Sequence, residues 1–428
     1  MTHAPPDQPD EPSIQAKPGS HHPAKVCTLS GMTASTTAEF NVVDLFAGCG
    51  GFTQGFHEYE PAPGGGSPFR SIAAVEFDRA AASTYAANFG EGTTNDGDVF
   101  PGDIKEWDPT PYKDRVDVIL GGPPCQGFSG LGKENPLDPR NKLWREYVKV
   151  VAALKPKIFV IENVDRFFNS PEYKALQRSN QRGLLRNYNL TEGILNSADF
   201  GVPQARRRAI VIATHKSLPP LSHPTPTHEK KNPKKEPELF DSFGRAPWVS
   251  VESIFKNTAS ISTTSLPDRE VKILGEVVPG TYRTRDLHIG RNPTPLSIAR
   301  YGAIGPGGNR NDLREKWVVI EGKRTPLSTP SWDGHNKGSG DVMGRLRIDS
   351  PSVTIRTEFF KPEKGRYLHP TENRPITHYE AALIQGFHEE FQWCGSKVQI
   401  ARQIGNAVPV GLSKVLAEHI YKHLSLHR

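Results

Sequence analysis

Four stretches of this chain combine residue types that can do chemistry. Cys125 stands in Gly121-Gly-Pro-Pro-Cys125-Gln126-Gly-Phe-Ser129, directly after an apolar run at 116–120. A thiolate is a strong nucleophile when nearby positive charge lowers its pKa, and two prolines restrict the backbone just before this one. An anonymous cysteine is nonetheless ordinarily a small, inert hydrophobe, so residue type alone leaves its role open. Glu162 closes the run Ile-Phe-Val-Ile and precedes Asn163 and Val164. A carboxyl at a strand end serves as general acid and base, or it merely caps a helix or pairs with a surface lysine. Gln204-Ala-Arg206-Arg207-Arg208 leads into an apolar run at 209–213, and on an extended strand Gln204, Arg206 and Arg208 would share one face, with Arg207 on the other. Such a cluster is also compatible with a solvated basic face. The fourth stretch is Asp44-Leu-Phe46-Ala-Gly48-Cys-Gly50-Gly51-Phe-Thr-Gln-Gly55, whose glycines permit a tight turn and close approach of backbone to a ligand at a helix start.

Short apolar runs at 42–46, 72–75, 116–120, 158–161 and 209–213 are separated by segments long enough for crossover helices, and 80–89 and 143–154 carry apolar residues at helical spacing. This repetition predicts an α/β domain whose mostly parallel sheet is covered on both faces. Loops leaving the carboxyl ends of such strands form the ligand crevice, and the stretches at Asp44, Cys125 and Glu162 start there. Glu76, at the end of the second strand, has the chemistry to accept both hydrogen bonds of an adenosine ribose diol, Phe77 to lie along an adenine ring, and Asp103 to meet the adenine edge or cap a helix. Glycine spacing by itself does not select among nicotinamide, flavin and other adenosine ligands.

These motifs, in this order, resemble the cytosine-5 DNA methyltransferase family. The similarity continues through Arg374-Pro-Ile-Thr377-His-Tyr-Glu380, Gln385-Gly386-Phe387 and Arg402-Gln403-Ile-Gly405-Asn406-Ala-Val, so that it spans residue 41 to about 416 around a variable interval. The resemblance implies a class I methyltransferase-like sheet with a smaller, irregular target-recognition domain, S-adenosyl-L-methionine as methyl donor, and double-stranded DNA as substrate. It makes Cys125 the nucleophile that adds to C6 of a flipped cytosine, Glu162 the acid and base at N3, Arg206 the contact to O2, and Arg208 its support. Asp44, Phe46, Gly48, Gly50, Gly51, Glu76, Phe77, Asp103 and Asn406 then fall to the cofactor, and Gln126, Ser129, Gln204 and Arg402 to DNA. The family often has Trp where this chain has Phe77, and the Cys-Phe-Thr tripeptide of its tRNA-modifying branch is absent. RNA cytosine methylation and a non-catalytic descendant are the alternatives.

A formal charge of +6 suits a polyanionic partner, and 36% hydrophobic residues over 428 positions suffice for two domains. The four cysteines are far apart, which argues against a disulfide framework or a metal cluster, so no metal is expected. With no secretory signal or membrane span, the expected location is cytoplasmic and nucleoid-associated, and the expected state monomeric. The polar, Pro-rich residues 1–38 read as a disordered leader, 39–222 as the catalytic and cofactor-binding domain, 223–373 as the target-recognition domain, and 374–428 as a closing segment that returns to the catalytic domain. A prokaryotic modification enzyme with a cognate restriction endonuclease is the implied setting.

Overall fold

The computed structural model describes Met1 and residues 39–90, 98–124, 143–230, 244–258, 261, 263–334 and 340–427. The first strands are β1 (Phe40–Leu45), β2 (Phe69–Val75), β3 (Asp98–Phe100), β4 (Val118–Gly121), β5 (Ile158–Val164) and β6 (Tyr188–Asn196). After the two-residue β7 (Gln204–Ala205) comes β8 (Arg207–His215), and seven of these form one sheet in the order β3-β2-β1-β4-β5-β8-β6. Every pair from β3 to β5 is parallel, whereas β8 runs antiparallel between β5 and β6. The helices of this part are α1 (Gly51–His57), α2 (Arg79–Phe89), α3 (Leu143–Leu154) and α4 (Pro171–Arg182). The expected mostly parallel sheet, flanked by helices, is thus what the chain forms.

Strand alternation sorts the core into two layers. Val43, Leu45, Ile119, Phe159 and Ile161 pack with Tyr147 and Val151 of α3 and Leu176 of α4. Val42, Leu120, Ile158, Val160 and Ile210 point the other way, onto Phe52 and Phe56 of α1. Both faces are covered, and so the strands read as continuous apolar runs.

The following part is built from small pairings: β9 (His228–Glu229) with β10 (Ala246–Pro247), and β11 (Glu270–Ile273) with β12 (Glu276–Arg283). A hairpin of β13 (Trp317–Ile320) and β14 (Lys323–Pro326) is followed by β15 (Gly344–Arg345), β16 (Ser352–Val353) and β17 (Arg366–Leu368). Its helices are α5 (Glu252–Asn257), α6 (Pro295–Gly302) and the single turn α7 (Pro330–Asp333). This is the smaller, irregular portion of the fold.

The chain closes with α8 (His378–Gln385), β18 (Gln392–Cys394), α9 (Lys397–Asn406) and α10 (Val410–Leu426). Leu412, Leu416 and Ile420 of α10 lie in the same apolar layer as Phe52 and Phe56 of α1, and the Ser413 hydroxyl donates to the Phe52 carbonyl. β18 extends β12, and Trp393 is fully buried against Phe387 and Phe391. No helix among the described residues is long and apolar enough to cross a membrane.

Candidate active site

The glycine stretch turns at the end of β1. Phe46, Gly48 and Gly50 take φ of 58°, 57° and 87°, the left-handed region that costs least at glycine. A Cβ on Gly48 would meet nothing within 4 Å, so the loop leaves open space there; one on Gly51 would lie 2.7 Å from the Val408 carbonyl. The two glycines have different uses: Gly48 opens the crevice, and Gly51 lets the closing chain approach α1. Glu76, at the end of the adjacent strand β2, ties the turn down by accepting from Gly48 N at 2.8 Å and from Asp78 N at 2.7 Å. Burial, opposed by those backbone donors, raises its pKa.

Beneath the loop, Asp44 accepts from the Thr53 hydroxyl at 2.7 Å, and a hydroxyl chain continues through Tyr85 to Ser71. Burial raises Asp44 to about 7, against the Thr53 hydrogen bond and with a smaller push from Glu76. Cys49 is buried too, its thiol pushed up to about 12 by desolvation and aimed at the Gln403 carbonyl 3.7 Å away. It is a packing residue of the loop, as a thiol held protonated must be.

Phe77 is 76% exposed at the crevice edge. Asp103 accepts from Lys105 N at 3.1 Å and lies 3.6 Å from the Lys105 ammonium, so in this structure it organises its own turn. Arg402 faces Asp78, 3.4 Å away, which joins α9 to the residue that caps α2.

At the neighbouring strand ends, Glu162 is 8% exposed and its Oε1 lies 2.7 Å from Nε of Arg208. Its other oxygen faces Gly122, at van der Waals distance from where a Cβ would stand. Asn163 donates from Nδ2 to the Pro123 carbonyl at 2.8 Å. The Glu-Asn pair therefore holds the beginning of the Gly-Pro-Pro-Cys loop and aims a carboxylate along it. Cys125, Gln126 and Ser129 lie outside the described residues.

Arg206 and Gln204 are placed differently from expectation. The strand breaks at Arg206, whose N–H turns back to the Gln204 carbonyl, while Ser197 Oγ donates to that carbonyl and accepts from Arg206 N. Arg206 and Arg208 consequently take different partners. Arg206 is 2% exposed and donates to the carbonyls of Ile355, Gly405 and Asn406; it does not meet Glu162 as Arg208 does. Burial and the Arg208 charge push its pKa down to about 9, so it stays protonated at neutral pH. Gln204, expected at DNA, is fully buried: it donates to Gln385 Oε1 at 2.7 Å and accepts from Ile355 N at 2.9 Å. Gln385 in turn donates to the Ile404 carbonyl, an amide chain that fastens α8 and α9 to β7.

Asn406 is the exposed last residue of α9, next to the Ala407–Val408 stretch that touches Gly51. Arg374 forms a two-pronged pair with the fully buried Glu380, whose Oε2 also accepts from Thr377 N, so this motif caps α8. Asn163 and Gln385 are positioning groups that residue type alone did not reveal, although both lie inside motifs visible in the sequence.

The chain is similar to known methyltransferases over most of its length. A type II methyltransferase of Haemophilus parahaemolyticus, M1.HphI, is 29% identical over 395 residues, covering 89% of this chain and 86% of that protein. M.DdeI, a type II methyltransferase of Desulfomicrobium norvegicum, is 30% identical over 415 residues, 89% of this chain and 88% of its own. Among solved structures, a prophage-encoded DNA modification methyltransferase (E. coli) superposes with a TM-score of 0.60 at 22% identity over 90% of this chain and 99% of that one, a likeness of fold. Residues 40–422 match the profile of the C-5 cytosine-specific DNA methylases, and the chain belongs to that family: it is an S-adenosylmethionine-dependent, DNA-binding cytosine-5 methyltransferase.

Proposed function

We propose that the protein methylates C5 of a cytosine flipped out of a specific duplex DNA sequence through a covalent bond between Cys125 and C6, in a restriction-modification setting. The observation that carries this reading is the buried Glu162 carboxylate, paired with Arg208 and facing the Gly122–Pro123 stretch that leads into Cys125. The setting rests on the two relatives described above, both type II methyltransferases. A companion endonuclease for the same sequence belongs to the same proposal.

The crevice fits S-adenosylmethionine. Glu76 keeps lone pairs beyond those used by Gly48 and Asp78 for a ribose diol, and Gly48 leaves the space that a side chain would fill. Phe46 and Phe77 would supply ring faces to that group, and Asp44, Gly50, Gly51, Asp103 and Asn406 are the further residues that would hold it. When bound, this group supplies an electrophilic methyl on a sulfonium.

Carbon 5 of cytosine is a poor nucleophile, and thiolate addition at C6 makes it enamine-like. Electron density then builds on N3 and O2. Glu162 holds a proton at N3, and Arg208 orients that carboxylate and donates toward O2. Arg206 is reassigned as a positioning residue, because its two terminal nitrogens are already engaged with the Ile355 carbonyl and with those of Gly405 and Asn406 in the closing chain. Loss of the C5 proton afterwards expels the Cys125 thiolate and restores the aromatic ring.

Methylated-base mapping of exposed duplex DNA identifies the target, and an oligonucleotide with 5-fluorocytosine at that position tests the chemistry. With no C5 proton to lose, the adduct persists. Denaturing electrophoresis should show a cofactor-dependent shifted band, peptide mass spectrometry should place it on Cys125, and Cys125→Ser should abolish it. A band of equal intensity in the serine variant, mapped to another residue, overturns the assignment.

A further inference from the structure

The hairpin of β13 and β14 buries one face and leaves the other bare. Val318 packs on the cluster of Tyr301, Ile304, Leu313 and Leu327, while the register sets Trp317 opposite Pro326 and Val319 opposite Arg324, all four exposed. Trp317 is 51% and Val319 68% exposed. The turn residues Glu321 and Gly322 take φ of 51° and 73°, the paired left-handed conformation of a tight two-residue hairpin, so the ribbon is well defined to its tip. The guanidinium carbon of Arg324 lies 4.7 Å from the Trp317 ring centroid.

A second Arg–Trp stack nearby shows what a structural one looks like. Arg300 sits over Trp332 at 4.9 Å, but its Nε also donates to the Leu327 carbonyl and the Trp332 ring packs on the buried cluster. Arg324 makes no ion pair with a described residue, and its ring partner is half in solvent. Stacking uses the guanidinium face and leaves the in-plane N–H donors pointing outward, pre-ordered for a flat or tetrahedral anion. Residues 314–326 hold four cations, Arg314, Lys316, Lys323 and Arg324, against Glu315 and Glu321.

We propose that this outer face is a duplex-DNA contact, in which Arg324 grips a backbone phosphate and Trp317 and Val319 lie against the adjoining sugars and base edges. The excess of cations, the unoccupied donors and the exposed rings complement a polyanion with apolar edges, and a two-stranded ribbon has the width of the major groove. The choice of DNA as that polyanion rests on the methyltransferase reading above. The face contributes to holding the target and not to the chemical step.

The test measures dissociation constants by fluorescence anisotropy, with a labelled duplex carrying the mapped target and with a scrambled duplex, between about 50 and 200 mM salt. Arg324→Ala should weaken binding to both roughly 10-fold and lower the slope of log Kd against log salt by about 1. Trp317→Ala should weaken binding about 5-fold with the slope unchanged. Arg324→Lys should restore the slope but only part of the affinity, since an ammonium cannot stack and fork. Single-turnover methylation at saturating duplex, cofactor affinity and Tm should stay at wild-type values, which separates the contact from damage to the fold. Unchanged Kd and slope in all three variants overturn the proposal, as does unchanged Kd with an altered oligomeric mass, which would make the face a protein contact. If the wild type binds duplex but does not methylate it, the chemical reading fails while the hairpin is still judged by these shifts; if the wild type binds no duplex, both fall.

Discussion

In the seven-stranded sheet, backbone groups are satisfied by ladders, and the side chains between them, such as Val43, Ile119, Val160 and Ile212, are apolar and fully buried. Residues 301–373 solve the same problem with guanidinium forks. Arg345, 4% exposed, donates from Nε to the Ile304 carbonyl, from its two terminal nitrogens to the carbonyls of Tyr301, His369 and Glu372, and to Asn373 Oδ1. Arg366 adds the carbonyls of Gly307, Gly308 and Arg345, and a pair with Asp341. The apolar cluster beside them is small: Tyr301, Ile304, Leu313, Leu327, Met343 and Leu368. An irregular chain cannot bury its carbonyls without donors, and a charged fork supplies five from one residue. Such a region can change its loops while keeping the fork, whereas the sheet cannot change its strands without losing its ladder.

The largest expected effect follows from removing a fork. Arg345→Ala strands four carbonyls and an amide oxygen, which should cost about 3 to 5 kcal/mol of local stability, more than one core methyl group would. Hydrogen exchange should show opening confined to residues near 301–313 and 366–373, with protection of β1, β4 and β5 retained. Equal loss of protection in the sheet would mean that the two regions are one cooperative unit and that the contrast between them is only cosmetic.

That contrast also explains what could be read in advance. The runs at 42–46, 72–75, 116–120, 158–161 and 209–213 announce strands because both faces of the sheet are covered; Leu143 to Leu154 announces a helix because one face of it is buried, and Ala80 to Phe89 does so through its alanines, although that helix is buried nearly all round. β6, Tyr188–Asn196, lacks the continuous apolar run of the other strands because Thr191, Glu192 and Gly193 interrupt this partly exposed edge, and no periodicity fixes the antiparallel direction of β8. Glu76 and Glu162 were legible as strand-end carboxylates. The roles of Arg206 and Gln204 were not, because they depend on a one-residue break that period-two alternation cannot anticipate and on partners 149 to 200 residues away. Sequence marked the arginines of the second region only as basic residues; their burial arises from which carbonyls the fold leaves unpaired.

The two arginines of one motif sharpen the comparison on the functional side, with effects of about 2 to 3 kcal/mol. Arg208→Met removes the charge beside Glu162 and should slow single-turnover methyl transfer roughly 100-fold with Tm nearly unchanged. Arg206→Met leaves three carbonyls short of donors and should lower stability by about 2 kcal/mol, with a milder loss of rate that a lower assay temperature partly restores. If instead Arg206→Met abolished transfer in a protein as stable as the wild type, Arg206 would be the residue at the cytosine.

The smallest effect expected is an acid slope in stability, and it also compares two places. His57 is held between α1 and the Phe89 ring, 5.0 Å away edge-on, and His378 starts α8 with its Nε2 3.0 Å from the Lys397 carbonyl. Burial lowers each to about 4, in His378 against the pull of that carbonyl. A histidine whose folded pKa lies below its unfolded value near 6.5 binds fewer protons in the native state, so its contribution to stability is intact above 6.5 and is lost as pH falls toward 4. Between pH 7 and 5 the wild type should lose roughly a few degrees of Tm. Replacing one of the two rings by a side chain that does not titrate removes its share of the slope: His57→Gln should flatten the unfolding of the sheet region, and His378→Gln that of the closing helices, each read by hydrogen exchange at pH 5 and 7. A slope that survives in both variants would place the acid sensitivity elsewhere, and an identical flattening everywhere from either variant would show that sheet and closing helices open together.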